Sequence, residues 1–391
     1  MKVVARALLV IALLAGGGGC RRDTGLGPAD SFLVYAPIQA EGGGVRRSAA
    51  KLPVVESMAP DDPRAAALFK QFAVGFAAEV LRTDYLAKQF VRDATIGGRR
   101  FSEGARSAAQ EPTVLLVGGP HDDGAAAGRG LALKAMFGRT NERPGVVWIP
   151  VDAYPDHDRA LPQTLAGLLG TVAATRVAGD EAPRALITGY AQALEVIARE
   201  WRVGEGPAGA IPPDAGSAAQ RAVFAAVREN SFALTPAGAP RPAAELLADP
   251  GLTATVLYRL AQSKTVGRKV AGAEVYAPFV TDRVPPGVSP AAVLGPFRNF
   301  QAKLLSAWGR AVLEGRPPRD VADLVDAYAR ALPAEKAEVI RIFVITTFGA
   351  TVKAGGIRPP SGDAGGALAE LTAVAAQVAS GKLSSRAAAN P

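Results

Sequence analysis

LPQTLAGLLGTVAATRVA at residues 161–178 and APRALITGYAQALEVIAREWR at 182–202 set the texture of most of this chain. Both are alanine-rich runs of helical composition, and the same kind of run recurs at 217–229, 252–263, 297–314, 319–331 and 334–353. Joints crowded with Pro and Gly lie at 204–216, 231–242 and 284–290. From about Leu161 onward the chain therefore reads as mainly helical, with no repeat of fixed period. The segment Val339 to Phe348 is β-branched enough for a strand. Its place in a longer run opened by Pro333, Ala334 and Glu335 favours a buried helix instead.

Upstream the pattern changes. Asp61 to Ala94 reads as one long helix, with Asp62 as N-cap, Pro63 in the first turn, and Phe69, Phe72, Phe76 and Val80 recurring at steps of three and four. Two short apolar runs follow, Thr113 to Val117 and Gly145 to Val151, and Ala125 to Phe137 between them has helical composition. The expected fold class is thus mainly α, with a small α/β unit (strand-helix-strand) near the N-terminal half, to which Phe32 to Pro37 could add a third strand. The expected organisation is a signal at 1–19, a tether at 20–31, the α/β unit with its long leading helix at 32–158, and a mainly helical domain at 159–354. A flexible C-terminal tail at 355–391 follows, with one helix near 367–380 and a disordered last ten residues.

The first twenty residues run from Lys2 and Arg6 through the apolar stretch Ala7 to Ala15 into Gly16 to Gly19 and then Cys20. A membrane span would need about 20 apolar residues, so this order reads as a secretory signal. The segment resembles the lipoprotein class of signal, in which a small residue precedes a cysteine that is acylated and becomes the mature N-terminus. Gly17 stands where such signals usually carry Leu, which leaves open cleavage among the glycines by the ordinary signal peptidase. Cys20 is the only cysteine in 391 residues, so no intramolecular disulfide can form. The resemblance implies a bacterial cell-envelope protein, lipid-anchored at Cys20. Arg21 in place of Asp favours the periplasmic side of the outer membrane. Two or more acyl chains make such anchoring stable. Arg21 to Ser31 would be a flexible tether reaching at most about 3.3 Å per residue.

About 370 residues remain after the signal, enough for two domains at roughly 150 residues each, and 49% of the chain is hydrophobic. The formal charge is +8, two of which, Lys2 and Arg6, lie in the signal. Arginine outnumbers lysine three to one and alanine is abundant, as a GC-rich genome produces without selection for nucleic-acid binding. The basic residues come as scattered pairs, Arg99 with Arg100, Arg139 with Arg143, Arg268 with Lys269, and Arg316 with Arg319. For an exported protein the partners of such charge are anionic lipid headgroups or acidic cell-wall polymers, although ordinary solvated surface also accounts for it.

Both histidines of the chain follow the two central apolar runs. His121-Asp122-Asp123 comes after Thr113 to Gly119, and Asp152 with Asp156-His157-Asp158 comes after Gly145 to Val151. If those strands are parallel neighbours, both clusters leave the same carboxyl edge, where open α/β folds place ligands. Imidazole and carboxylate could bind zinc or another divalent ion and activate water, with His121, Asp122, Asp123 and His157 as catalytic candidates and His121, Asp123, Asp152 and His157 as candidate metal ligands. Val114 to Gly124 resembles the opening of zinc-dependent N-acetylglucosaminyl deacetylases, where an apolar strand leads into His, Pro, Asp, Asp. Here His121 is followed directly by Asp122, and the later histidine pair of that family has no counterpart. The same residues also read as polar loops in which Asp123 and Asp158 cap the helices after them.

Gly118, Gly119, Gly124, Gly128 and Gly130 make a glycine-rich turn, but it holds no GxxxxGK[ST] or GxGxxG and Asp122 and Asp123 would repel a phosphate, so a nucleotide is not an expected partner, nor, with basic residues only in scattered pairs, is a nucleic acid. No HExxH, GxSxG or CxxCH occurs either. Trp148, Trp201, Trp308, Tyr85, Tyr190, Tyr258, Tyr276 and Tyr328 read as core rather than as a binding groove. The leading expectation is a lipid-anchored, non-catalytic envelope protein of interaction or scaffolding type with no resident cofactor. Its partners would be the membrane, through the anchor, and another envelope protein or cell-wall polymer. A metal-dependent hydrolase of cell-wall or carbohydrate material and a periplasmic small-molecule binder are the alternatives.

Overall fold

The computed structural model describes residues 32–37, 55–57, 76–110, 113–117, 126–128, 146–149, 157–179, 182–203, 217–279, 290–357 and 364–387. These residues are mainly helical. In chain order the strands are β1 (Phe32–Pro37), β2 (Val55–Ser57), β3 (Thr113–Val117), β4 (Ala126–Gly128) and β5 (Val146–Ile149). The helices before β3 are α1 (Phe76–Asp93) and α2 (Glu103–Gln110). After β5 come α3 (His157–Ala178), α4 (Arg184–Val203), α5 (Ala218–Glu229), α6 (Ala243–Leu247), α7 (Pro250–Gln262) and α8 (Ala273–Tyr276). They are followed by α9 (Pro290–Leu313), α10 (Val321–Ala331), α11 (Lys336–Thr346) and α12 (Ala364–Ala379).

Local chemistry explains where several of these helices begin. Ser217 and Gln220 form a reciprocal capping box ahead of α5, satisfying two of the amides that a helix start leaves unpaired. Asp249 caps α7, with Pro250 at the first helical position, where its missing N–H costs nothing. Asp320 accepts from the amides of Ala322 and Asp323 at the head of α10. Helix α5 stops where Asn230 takes a left-handed conformation at φ 63°, one of the few that a non-glycine residue tolerates there.

The strands pair in the order β2-β1-β3-β5-β4, with β1, β3 and β5 mutually parallel and the two edge strands antiparallel. This departs from the expected strand-helix-strand unit. Where Ala125 to Phe137 was expected to be helical, Ala126–Gly128 is a strand pairing with β5, and the rest of that stretch lies outside the described residues. Three small side chains in a row carry no helical face, and pairing to β5 satisfies their backbone groups instead. The leading helix is described only as α1. The part of Asp61 to Ala94 that includes Asp62, Pro63, Phe69 and Phe72 lies outside the described residues.

The helices share one core. α3 and α4 pack together, α4 also meets α7, and α9 lies against α1, α3, α8 and α10. Trp308 of α9 is buried and meets Tyr190 of α4 edge to face, with ring centroids 6.0 Å apart, and the Tyr190 hydroxyl donates to Gln301 Oε1 at 2.5 Å. Tyr276 and Tyr328 are buried too, while Tyr85 and Tyr258 pack against the core from its margin. Phe90 of α1 stacks on Phe279 at 5.5 Å and meets Phe101 at 6.0 Å. That ring also presses on Gly309 of α9, where a Cβ would run into it. Gly189 does the same for α4 and α7, since a Cβ there would stand 2.6 Å from the Pro250 carbonyl oxygen. Small residues at these points let the helices approach closely enough to bury the larger rings around them.

Val339 to Phe348 is helical as expected for most of its length, since α11 continues to Thr346. The helix ends short of the expected Lys353. Phe348 and Gly349 adopt positive φ values of 48° and 65°, and the Gly349 amide returns to the Val344 carbonyl. The 231–242 joint is held by defined contacts. Ser231–Ala233 is a 3-10 turn, Leu234 bridges Pro240, and the Asn230 side chain donates to the Thr346 carbonyl at 2.9 Å. The chain end expected to be disordered is docked as far as Ala387. Ser385 Oγ donates to Asp326 Oδ2 at 3.0 Å, and Arg386 pairs with Asp320 and, at 3.4 Å, with Asp323.

Because Phe90 leaves no room beside Gly309, Gly309→Leu should overpack the α1–α9 contact and lower the unfolding free energy by about 1–3 kcal/mol. Chemical denaturation reads this directly, and an unchanged midpoint would contradict the close contact.

Candidate functional site

Cys20, His121, Asp122, Asp123, Asp152 and Asp156 lie outside the described residues. His157 and Asp158 open α3, and their side chains lie outside the described residues as well. The backbone condition for convergence can be located. β3 and β5 are parallel neighbours, with Val117 opposite Ile149, so the segments carrying the two histidines leave adjacent strand ends. Among the described residues no group of three or more His, Cys, Asp or Glu side chains is placed to hold a metal ion.

Among the described residues, a heavily built polar site lies away from the two histidine segments. Lys303 of α9 is fully buried, and its ammonium donates to both carboxylate oxygens of Glu335, at 3.0 and 3.1 Å. It also donates to the Lys269 carbonyl at 2.7 Å and to the Val266 carbonyl. Tyr328 adds its hydroxyl to Glu335 Oε2 at 2.9 Å. One helical turn before Lys303, Asn299 Nδ2 donates to the carbonyls of Gly267 and Lys269 at 3.1 and 2.9 Å, and its oxygen accepts from Tyr276. Burial pushes the Lys303 ammonium below its ordinary range, with Glu335 opposing the shift, and burial raises the Tyr328 phenol. The network joins α9, α10, the turn before α11 and the connection from α7 to α8. Its members satisfy one another, so it acts as a structural bond.

Two further buried clusters serve the same purpose elsewhere. Asp84 of α1 accepts from Arg176 Nε of α3 at 2.9 Å and pairs with Lys88 at 3.3 Å, and Arg176 also reaches the Ala108 carbonyl of α2 at 3.3 Å. Burial depresses the Lys88 ammonium, and Asp84 opposes that shift. Between α3 and α4, the Glu195 side chain lies over Gly167, where a Cβ would come within 2.7 Å of its Cγ. Glu195 keeps a little exposed surface, but its carboxyl group is packed within protein. That burial pushes it up to about 8 against a hydrogen bond from Gln220. Nearby, Arg199 donates to Gln163 Oε1 at 3.2 Å and lies 4.8 Å over the Phe224 ring.

Among the described residues, one open concavity is a cleft of about 460 Å³ between α10, α11, α12 and the docked chain end. Ile340, Val378 and Leu383 give it apolar walls, and Asp326, Arg330 and Lys336 give it charge. Burial raises the Asp326 carboxyl, while Ser385, Arg330 and Lys336 pull the other way. The Ser385–Asp326 contact docks the chain end beside the Arg386 pairs, so Ser385 is committed to structure here.

Comparison with known proteins adds no relative: no family model, no curated protein and no solved structure matches this chain. One sequence signal could have found the Lys303 network. Lys303 sits among Phe300, Ala302, Leu304, Leu305 and Trp308, where only a paired charge can be buried. Its partner Glu335 lies too far along the chain for any local pattern to link the two.

The raised Glu195 group has a definite sign in stability. The folded state holds this proton up to about pH 8, whereas the unfolded chain releases it near its ordinary value of 4.5, so stability falls as pH rises across that interval. Glu195→Gln should flatten the decline, leaving the variant more stable than wild type above about pH 8 and little changed near pH 4. Unfolding curves at both pH values check this; equal pH dependence in both proteins would contradict it.

Proposed function

We propose that this is a lipid-anchored, non-catalytic cell-envelope protein, acylated on Cys20, whose helical body offers surfaces to another envelope protein or a cell-wall polymer. The periplasmic side of the outer membrane is the favoured location. The observation that carries this reading is Cys20 itself, the only cysteine, standing directly after a basic start, a short apolar stretch and four glycines. The character of the helical part supports it. Its buried ionisable groups, Lys303, Glu335, Asp84, Lys88 and Arg176, are engaged in joining helices to one another. Among the described residues no helix is long and apolar enough to cross a membrane, so an acyl anchor would be a separate means of attachment.

A second reading is a metal-dependent hydrolase of cell-wall or carbohydrate material, using His121, Asp122, Asp123, Asp152 and His157. In it β1, β3 and β5 with the neighbouring helices form a small α/β unit bearing the site. The parallel pairing of β3 with β5 supports it, because it starts both polar segments at neighbouring strand ends. A third reading, a periplasmic small-molecule binder, is supported by the cleft beside Arg330 and Lys336.

Mass spectrometry of the mature N-terminus should find acylated Cys20, and an unmodified terminus at another residue would reduce the protein to a merely secreted one. The same preparation should leave acetylated sugars and peptides intact. Turnover that disappears in His121→Ala would replace the first reading with the second.

A further inference from the structure

The connection between α7 and α8, residues 263–272, combines an exposed apolar side chain with a backbone that is unusually well fastened. Val270 is 57% exposed, the most exposed of the large hydrophobic side chains among the described residues. Lys264, Arg268 and Lys269 are exposed beside it. Meanwhile the carbonyls of Val266, Gly267 and Lys269 are drawn inward by Lys303 and Asn299. The Ala271 amide donates to the Tyr276 hydroxyl at 3.0 Å, and the Arg268 amide closes the turn on the Ser263 carbonyl at 3.3 Å. A loop with so many of its own polar groups already paired can enter a poorly hydrated environment at little cost. Its fixed shape also removes the ordering entropy of a floppy contact.

Charge selects the partner. Three cations lie within six residues, and the nearby carboxylates are largely occupied. Glu335 is held by Lys303, and Glu338 is engaged by Arg341, which keeps it below the usual carboxylate range; the exposed Glu274 is left to offset one of the three cations. Cations ringing one protruding aliphatic side chain fit the headgroup region of a bilayer, where phosphates meet the cations and the apolar tip reaches the acyl boundary. We propose that residues 263–272 are a preformed contact for an anionic lipid surface, with Lys264, Arg268 and Lys269 at headgroup level and Val270 entering the interface. The proposal rests on the envelope reading only in needing a bilayer within reach, and it orients the helical body that the anchor would merely tether.

The test uses the full-length chain carrying Cys20→Ser, so that acylation plays no part, with vesicles of phosphatidylcholine alone or mixed with phosphatidylglycerol. Binding should favour the anionic vesicles, weaken with salt, and fall roughly fivefold for each charge removed in Lys264→Gln and Arg268→Gln. Val270→Ser should weaken it further. All three side chains are exposed, so an unchanged unfolding midpoint will accompany these losses. Equal binding by wild type and variants, or equal binding to both vesicles, would overturn the proposal. Binding to polyglutamate without binding to vesicles would also overturn it, in favour of an acidic protein partner. Acylation of Cys20, read separately by mass on the natural chain, is unaffected by either result.

Discussion

Taking the Lys303 ammonium wholly out of water is costly, and several segments of the helical body are arranged to offset it. Removing such an ion from solvent costs several kcal/mol, recovered only where geometry is good and the remaining protons are satisfied. Here Glu335 supplies both carboxylate oxygens and the 266–269 turn supplies two carbonyls, while Tyr328 steadies Glu335 from α10. Four separate parts of the chain must therefore be in register at once. The same constraint decides how the 263–272 connection is displayed, since the carbonyls that serve Lys303 and Asn299 turn inward while Arg268 and Val270 face solvent.

Around that bond the packing relies on small residues. An alanine-rich chain with few aromatic side chains gains burial by bringing helices close, and Gly189 and Gly309 mark two places where the approach leaves no room for a methyl group. The large rings that are present then lie between several helices at once, as Trp308 and Tyr190 do between α9 and α4. The Asp84 cluster ties α1 and α2 to α3 by similar means.

Helical periodicity was legible because it is local. The runs at 182–202, 217–229 and 319–331 correspond closely to α4, α5 and α10, with Ser217 and Asp320 as caps. Short helices such as α6 and α8 carry too few turns to show a period, and Ala126–Gly128 has no side chains that distinguish strand from helix. The docking of Ser385 and Arg386 was illegible for another reason: it depends on Asp320, Asp323 and Asp326, some sixty residues earlier. The same separation hid Glu335 from Lys303. The polar segments that follow β3 and β5 in sequence stood out because both histidines sit in them, whereas the buried network is composed of residue types that surfaces use everywhere.

Function is read here from the two ends of that contrast, a signal that is wholly local and a buried network that is wholly long-range. The envelope reading comes from Cys20, and the lipid-facing loop comes from Lys303. The measurement that bears most directly on this account is amide hydrogen exchange at Arg268 and Ala271, compared between the natural chain and Lys303→Met. The account predicts slow exchange at both amides in the natural chain and rapid exchange in the variant, while Leu305 within α9 stays protected. Rapid exchange already in the natural chain, or no change on losing Lys303, would contradict it.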